Sequence, residues 1–211
     1  GAQVVEVGAA TECGVYQLRG AINSQTTAAL FVVSHLTCDE GLVDLKTFCD
    51  VCHNENLPVI VDAASQADPR PYLRDGADLV LVSGQKSFEG LTSGIIAGRL
   101  DLVHACIYQF HGIGRPMKPG KEGVIGAILA LERWMKRDAK EHALTIARRT
   151  EGARKRLDSL VGLTAKIIGN QVSVLVDEKA AGLTAHQMVV ALTMRSPSIE
   201  VYKRLVNNGE F

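Results

Sequence analysis

The sequence predicts an α/β fold, in which a mostly parallel β-sheet has helices on both faces, followed by a small α+β C-terminal domain. Short β-branched runs alternate with longer segments of helical period, which is the pattern of parallel strands joined by crossover helices. Residues 30–33 and 79–82 hardly alternate between apolar and polar, as expected of strands covered on both sides. After Gly98 the pattern changes to long helices, and after Leu163 to short strands and one helix.

Length and composition describe an ordinary globular chain. Its 211 residues are 46% hydrophobic and 22% charged, with 23 basic and 23 acidic side chains, which excludes disorder and collagen-like repeats. The neutral balance disfavours a dedicated nucleic-acid binder, and no apolar run approaches the roughly 18 residues of a membrane-spanning helix. Five cysteines, an odd number, and no visible signal peptide fit reduced thiols and predict a cytoplasmic location.

The predicted elements divide the chain into three parts. Strands are expected at residues 4–7, 28–34, 58–62, 78–83 and 94–98, with a crossover helix at 43–56. Helices are expected at 100–108, 122–136 and, capped by Asp138, up to about Leu160, with a Gly/Pro-rich loop at 111–120. The tail predicts strands at 165–168, 172–177 and 199–202 and a helix at 185–193 capped by Thr184. We therefore expect a large domain at 1–135, a connecting helix at 136–162 and a small domain at 163–211.

Two motifs could have a function, but in each case the surrounding residues favour a structural explanation. Cys49, Cys52 and His53 have the spacing of a thiol-redox or haem-attachment motif, but they lie within an amphipathic helix and have no second half-site, so buried structural cysteines are favoured. A basic run between Arg133 and Arg156 has acidic residues interleaved with it and only Trp134 for base stacking, which favours a solvated helix face over an RNA-binding surface.

The most informative region joins two strands to a lysine. Asp62 ends one buried strand, and the next strand runs into Ser83-Gly-Gln-Lys86. Because ligands of open parallel sheets bind at the carboxyl ends of strands, Asp62 and Lys86 should lie at the same edge. They are either a plain ion pair or the two groups that pyridoxal phosphate needs, a lysine for a Schiff base and a carboxylate for the pyridine nitrogen.

The segment from Ser83 to Arg99, with its Gly90, Gly94 and Gly98, resembles a known family when taken with Val61-Asp-Ala-Ala64 and with residues 112–122. These residues are similar to fold-type I pyridoxal phosphate enzymes related to bacterial selenocysteine synthase, and within that group to the D-glucosaminate-6-phosphate ammonia-lyase family. The resemblance extends over essentially the whole sequence and is strongest between Pro58 and Trp134. It implies an aminotransferase-like large domain whose beginning, with a glycine-rich phosphate-binding segment, is missing from this sequence, and a truncated small domain.

The resemblance implies a role for each matching residue. Lys86 matches the Schiff-base lysine, which is also the base for the substrate α-proton and is expected to be buried at an apolar edge. Asp62 matches the partner of the pyridinium nitrogen, and Ser83 matches a phosphate contact. His35 falls where the family has a residue near the cofactor ring, with a structural histidine as the alternative. The remaining matches are Thr92, at a position that reaches the cofactor phosphate of a neighbouring subunit, and Arg115, Lys118 and Lys121, in a loop suited to a substrate carboxylate or phosphate.

Two residues depart from the family pattern. Glu89 and Leu91 stand where relatives of the selenocysteine enzyme carry Gly and Pro. No metal site is expected.

The resemblance implies a lyase that removes water and ammonia from a β-hydroxy amino acid, with D-glucosaminate 6-phosphate converted to 2-keto-3-deoxygluconate 6-phosphate. It also implies a homodimer or higher homo-oligomer with a small-molecule substrate and no membrane partner. An enzyme like L-seryl-tRNA selenium transferase and a non-catalytic relative remain alternatives, although the neutral charge disfavours the first.

Overall fold

The computed structural model describes residues 2–9, 12–33, 41–203 and 206–211. Contacts divide the chain into two compact units, residues 1–136 and 137–211. The division into domains at residues 135 and 162 stays a prediction.

The first unit is built on a four-stranded sheet in the order β1-β2-β3-β4. Strands β1, β2 and β3 are parallel, and β4 is antiparallel to β3. This mixed arrangement agrees with the mostly parallel sheet predicted from the sequence. The strands are β1 (Ala29–Val32), β2 (Val59–Asp62), β3 (Leu79–Ser83) and β4 (Gly94–Gly98).

Five α-helices accompany this sheet in the described part of the first unit. They are α1 (Val15–Ala21), α2 (Leu45–Asn54), α3 (Arg70–Arg74), α4 (Leu100–Tyr108) and α5 (Lys121–Lys136). Two short 3₁₀ turns, Gln109–His111 and Arg115–Met117, lie between α4 and α5. The predicted helices at 43–56, 100–108 and 122–136 are therefore confirmed to within two residues at each end.

Helix α2 shows how the sequence builds the core. The Asp44 carboxylate caps the helix by accepting the Thr47 N–H at 2.9 Å. Phe48, Cys49 and Cys52 then recur at helical spacing and are buried, and Phe48 meets Phe31 of β1 edge-on with ring centroids 5.1 Å apart. Helix α2 therefore covers one face of the sheet, where Val59, Val61 and Val80 are fully buried.

The opposite sheet face is only partly covered in the described part of the chain, since Leu79 of β3 on this face is buried but its residues in β1 and β4 are exposed. Leu30 and Val32 of β1 are 58% and 51% exposed, and Ile96 of β4 is 40% exposed. Register pairs Val32 with Asp62 and Asp62 with Leu81, so the Asp62 side chain lies on this face.

The second unit contains a long helix, a hairpin and further short helices. The Asp138 carboxylate accepts the N–H groups of Lys140 and Glu141, as predicted for a cap. The elements are α6 (Ala139–Asp158), β5 (Leu163–Ile168), β6 (Gln171–Val176), α7 (Glu178–Ala181), α8 (Ala185–Met194) and a 3₁₀ turn at Val206–Asn208. Strands β5 and β6 are antiparallel, and Thr184 caps α8 in a capping box with Gln187.

Two predicted strands are wrong. Residues 4–7 and 199–202 have no strand structure, and Val4 and Val5 are exposed. Both segments carry a β-like composition, but a strand needs a neighbouring strand to pair with, and composition does not supply one. Helices α1, α3 and α7 were not predicted, because they are short and contain or adjoin Gly and Pro.

None of the helices among the described residues is both long enough and apolar enough to span a membrane.

Candidate active site

The candidate site lies at the carboxyl edge of the sheet, where the chain leaves β2 and β3. Asp62 is the last residue of β2 and Ser83 the last residue of β3, and Lys86 follows three residues later. Because β2 and β3 are parallel neighbours, these residues share one edge. The structure thus places Asp62, Ser83 and Lys86 where the strand pattern predicted, while their chemical roles stay predictions.

The Asp62 carboxylate is only partly used within the chain. Its Oδ1 accepts the Ala64 N–H at 3.0 Å, which fixes the turn that follows β2. Its Oδ2 makes no hydrogen bond to a described residue. The side chain is half-buried on the partly covered sheet face beside Val32 and Leu81, so one carboxylate oxygen remains available to a ligand.

Lys86 lies in the loop that connects β3 to β4. This loop, residues 84–93, is closed by hydrogen bonds from the Gly84 N–H to the Ser93 carbonyl and from the Gly90 N–H to the Gly84 carbonyl, each at 2.8 Å. The Glu89 N–H donates to the Lys86 carbonyl at 3.0 Å. The backbone of the lysine is therefore held in a defined turn.

The Lys86 side chain itself is exposed, so the expected burial at an apolar edge is wrong for the described chain. Its amine has no hydrogen-bond or ion-pair partner among the described residues, and Lys86 does not line the cavity between Ser93 and α5. The exposure follows from the loop's position, because the hairpin carries residue 86 beyond the end of the sheet. The amine is free to react but is not enclosed by the described residues.

Helix α5 supports this loop through small residues. Gly90 lies against Ala130, and a side chain at Gly90 would approach the Ala130 Cβ to 2.9 Å. A side chain at Gly126 would likewise meet Leu91 at 2.8 Å, and the Thr92 carbonyl lies beside Gly123. These glycines let the lysine loop pack directly on the helix backbone.

The hydroxyl and cationic residues of the predicted site lie around the same loop. Ser83 is half-buried, and Thr92 is exposed near the start of α5. A cavity of about 230 Å³ separates Ser93 and Gly94 from Pro119 and the first turns of α5, so the cationic loop ends next to the lysine loop. Arg115, Lys118 and Lys121 are exposed, and none forms an ion pair with a described residue.

His35, the second predicted catalytic residue, lies outside the described residues. The sequence interpretation missed a different group, Trp134 with Arg70 and Phe88, which joins the segment after Asp62 to the lysine loop. The signal available in the sequence was that Trp134 is the only tryptophan.

The Cys49–Cys52 pair is structural, as the helix pattern predicted. Both side chains are fully buried, and burial raises the pKa of each thiol to about 11, which suppresses thiolate chemistry. No group of metal-ligating side chains is found in the part of the chain that the structure describes.

Ion pairs on α6 agree with a solvated helix face rather than an RNA-binding surface. The Arg154 guanidinium donates to the Glu151 carboxylate at 2.8 and 2.9 Å, and Lys155 also pairs with Glu151. Part of the basic run is therefore neutralised within the helix.

A second charged cluster lies at the opposite, amino edge of the sheet. The Asp78 side chain accepts the Val59 N–H at 2.8 Å, contacts His53 Nε2 at 2.9 Å and accepts from Arg99 Nη1 at 3.1 Å. Burial by itself raises the pKa of Asp78, but these hydrogen bonds outweigh burial and hold the pKa below its ordinary value. The cluster links α2, β2, β3 and the residue after β4.

Comparison with known proteins gives relatives over nearly the whole chain. A D-glucosaminate-6-phosphate ammonia lyase of Salmonella typhimurium is 34% identical over 211 residues, which cover 97% of this chain and 56% of that protein. A solved D-glucosaminate-6-phosphate ammonia-lyase structure matches with a TM-score of 0.77 and 34% identity, covering 99% of this chain and 57% of its own. These matches confirm the family resemblance and the predicted mostly parallel α/β sheet with helices, while the small α+β C-terminal domain stays a prediction.

Other relatives have different chemistry. A 5'-C-glycyluridine monooxygenase-decarboxylase of a Streptomyces species is 35% identical over 208 residues, 94% of this chain and 52% of that protein. An L-seryl-tRNA(Sec) selenium transferase of Serratia proteamaculans is 31% identical over 137 residues, 57% of this chain and 29% of that protein. No protein-family model matches. The chain spans about half the length of the first two curated relatives.

Proposed function

This chain is a relative of the D-glucosaminate-6-phosphate ammonia-lyases in the selenocysteine synthase-like group. From this premise, we propose that it is part of a pyridoxal phosphate-dependent lyase. The reaction would remove water and then ammonia from a β-hydroxy amino acid, with D-glucosaminate 6-phosphate as substrate and 2-keto-3-deoxygluconate 6-phosphate as product. The enzyme would act in the breakdown of amino sugar acids, in the cytoplasm. One observation carries the proposal. The Lys86 amine, without a partner among the described residues, and the Asp62 carboxylate, with one oxygen unbonded there, follow neighbouring parallel strands at one edge of the sheet.

The residues at this edge suit the chemistry of pyridoxal phosphate. Lys86 offers an amine without a partner among the described residues, and Asp62 keeps one carboxylate oxygen free on the partly covered sheet face. Ser83 and Thr92 offer hydroxyl groups that can donate to a phosphate. When bound, the cofactor supplies an aldehyde that condenses with amines and a ring that withdraws electrons from the substrate α-carbon.

The chain's own residues would then bind, orient and move protons. Lys86 would hold the aldehyde until substrate arrives, and its released amine would take the proton from the α-carbon. Asp62 would keep the proton on the ring nitrogen, because a carboxylate next to that atom favours its protonated form. The proton held by Lys86 would go to the departing β-hydroxyl, which would leave as water. Return of the Lys86 amine to the aldehyde would release an enamine, and this enamine would take up water to give the keto acid and ammonia.

The cationic loop would select for an anionic substrate. Arg115, Lys118 and Lys121 have no ion-pair partners among the described residues, so their charges are available to a carboxylate or a phosphate. Lys121 begins α5, whose first turn borders the cavity next to the lysine loop. These side chains would hold the two charged ends of a phosphorylated sugar acid.

We further propose a homo-oligomer in which Thr92 completes the phosphate site of a neighbouring subunit. Thr92 is exposed, and α5 beside it exposes four aliphatic side chains, Val124, Ile125, Ile128 and Leu129. An exposed apolar helix face of this kind favours an interface. Analytical ultracentrifugation tests the proposal, which predicts a species larger than a monomer. A chain that sediments as a monomer at all concentrations contradicts it.

The test of the cofactor assignment is covalent trapping on the 211-residue chain. Pyridoxal phosphate should give a visible absorption band, and borohydride reduction should leave the phosphopyridoxyl mass on the peptide that contains Lys86. Lys86→Ala should lose both signals. The matched control is Lys46→Ala, because Lys46 is an exposed lysine on α2 that pairs with Asp50 and has no place in the site. A band that survives Lys86→Ala removes the lysine assignment.

The test of the reaction class compares products with and without oxygen. The lyase should release ammonia and a 2-keto acid from D-glucosaminate 6-phosphate under nitrogen. Oxygen uptake with carbon dioxide release would instead favour chemistry like that named for the Streptomyces relative. Salt-dependent binding of tRNA in a gel shift would favour the selenium transferase alternative, and a chain without any spectral response to pyridoxal phosphate would be a non-catalytic relative.

A further inference from the structure

Trp134 of α5 contacts both segments that carry the proposed site. Its indole lies against Phe88 with ring centroids 5.0 Å apart, and the Arg70 guanidinium carbon lies 4.7 Å from the indole centroid. Phe88 follows Lys86 by two residues, and Arg70 belongs to the segment that continues from Asp62 into α3. One side chain therefore joins the lysine loop to the aspartate segment.

The segment from Asp62 to Arg70 is held by separate local hydrogen bonds, and none of them joins Asp68 directly to Asp62. The Arg70 guanidinium donates to the Asp68 carboxylate at 2.7 and 2.8 Å, and the Arg70 N–H also donates to it at 2.9 Å. The hydrogen bonds from Arg70 hold the pKa of Asp68 below its ordinary value, so the carboxylate stays charged near neutral pH. Between Asp62 and Asp68, the Gln66 N–H donates to the Ala63 carbonyl at 2.9 Å.

The contact with Phe88 leads to Lys86. Phe88 is 2% exposed and belongs to the main core cluster, and half-buried Trp134 packs against that cluster. Gly90, two residues after Phe88, lies on Ala130 of α5, the helix that contains Trp134. Because the interior is close-packed, an indole that shifts must shift Phe88, and the lysine loop with it.

We propose that Trp134 is a positioning residue that sets the separation between the Lys86 amine and the Asp62 carboxylate. This inference rests on the proposed function, because the distance between Lys86 and Asp62 matters only if the two residues hold pyridoxal phosphate. Trp134 touches neither the cofactor nor the substrate in this proposal. It acts through Phe88 on one side and through Arg70 on the other.

The first test needs no cofactor and uses amide hydrogen exchange in the 211-residue chain. Arg70→Gln removes the guanidinium from the indole but leaves the lysine loop unchanged in sequence. If Trp134 couples the two segments, exchange should accelerate at Glu89 and Gly90 by about threefold, the scale of a lost cation–π contact at a partly exposed site. A change confined to residues 62–70 overturns the proposal.

Trp134 variants separate positioning from simple packing. Trp134→Leu keeps an apolar side chain but removes the aromatic contacts with Phe88 and Arg70, whereas Trp134→Phe keeps an aromatic face. We expect faster exchange in both segments for Trp134→Leu and partial recovery for Trp134→Phe. Met135→Leu is the matched control, because Met135 is the next residue on α5 and is exposed. Equal exchange in Trp134→Leu and Met135→Leu overturns the proposal.

The second test measures the cofactor site. In Trp134→Leu and Arg70→Gln, the pH midpoint of the visible pyridoxal phosphate band should move away from the wild-type value, because both changes alter the distance between the lysine and the carboxylate. A purely structural role lowers the thermal midpoint without moving the band. Unchanged pH midpoints in both variants overturn the positioning role, even if stability falls.

The two tests keep this inference distinct from the proposed function. If the wild-type chain gives no Lys86-dependent band, the proposed function fails. The proposal that Trp134 spaces Lys86 and Asp62 for pyridoxal phosphate then fails as well. The exchange experiment still reports whether Trp134 couples the two segments. If the band is present in the wild type but the variants behave like Met135→Leu, only the positioning role is overturned.

Discussion

Two aspartates at opposite edges of the sheet differ in the number of partners that their carboxylates have. At the amino edge, Asp78 is 9% exposed and has the Val59 N–H, His53 and Arg99 as partners. At the carboxyl edge, Asp62 is half-buried and has only the Ala64 N–H as a partner among the described residues. Both side chains adjoin central strands, and they differ in how much of their hydrogen-bonding capacity the chain itself uses.

The difference separates a residue that stabilises the fold from one that is available for chemistry. A buried carboxylate with three partners is satisfied, and it links the helix and strands that meet at the amino edge. At the carboxyl edge, one Asp62 oxygen makes no hydrogen bond to a described residue, and the Lys86 amine at the same edge has no partner there either. These two groups are therefore candidates for ligand binding. Matched substitutions at the two edges test this division.

The largest effect is expected from Asp62→Asn on the proposed reaction. Loss of the carboxylate that would hold the ring proton should lower turnover by roughly two orders of magnitude, the scale of a lost proton-transfer group. The thermal midpoint should change little, because an Asn side-chain oxygen can still accept the Ala64 N–H. Steady-state ammonia release and thermal denaturation of the same preparation measure both quantities. Loss of stability without loss of turnover would reverse the assignment.

The opposite result is expected from Asp78→Ala. The substitution leaves the buried Val59 N–H without its acceptor and should lower the free energy of unfolding by about 2 kcal/mol. Urea denaturation measures this change, and Asp78→Asn, which can still accept the Val59 N–H, should cost less. The pyridoxal phosphate band should persist in both variants. A variant that folds normally and loses the band would place Asp78 in the site instead.

The same carboxylate also predicts a pH dependence of stability. Because its pKa is lower in the folded chain than in the unfolded chain, Asp78 contributes full stabilisation above its unfolded pKa, about 3.8. That contribution disappears as the pH falls through the lower folded value. Wild type and Asp78→Asn should therefore differ less in their free energies of unfolding as the solution is acidified below about pH 4. A difference that grows on acidification contradicts the assignment.

The smallest effect concerns the backbone of the lysine loop. Glu89 has φ of +56°, in the left-handed region that glycine adopts without steric cost. The family that the sequence resembles carries Gly at this position. Glu89→Gly should raise the free energy of unfolding by up to about 1 kcal/mol, because relief of the left-handed backbone exceeds the loss of the Glu89 side-chain contacts, which include an exposed 3.9 Å pair with Arg133. Asn56→Gly is the matched control, because Asn56 has a similar φ of +57° outside the site. Destabilisation by Glu89→Gly alone would show that the Glu89 side chain matters more than its backbone.

Many elements of both units were predictable because their signals are local. The apolar runs at β2 and β3, the helical spacing of α2 and the caps Asp138 and Thr184 all depend on residues close together in the chain. The shared edge of Asp62 and Lys86 also followed from one rule, that consecutive parallel strands end on the same side. The wrong strands at 4–7 and 199–202 mark the limit of this reasoning, because pairing depends on distant residues.

The sequence by itself determined the four strands of the sheet, the helices α2, α4, α5, α6 and α8, the family resemblance and the edge at which the reactive groups leave the sheet. Only the tertiary structure decided that Asp78 is satisfied while Asp62 is half-free, that Lys86 is exposed, and that Trp134 joins two segments more than 40 residues away from it in the chain. The physical reason is that partners and burial arise from packing between elements distant in sequence, and no local pattern of residues encodes those distances.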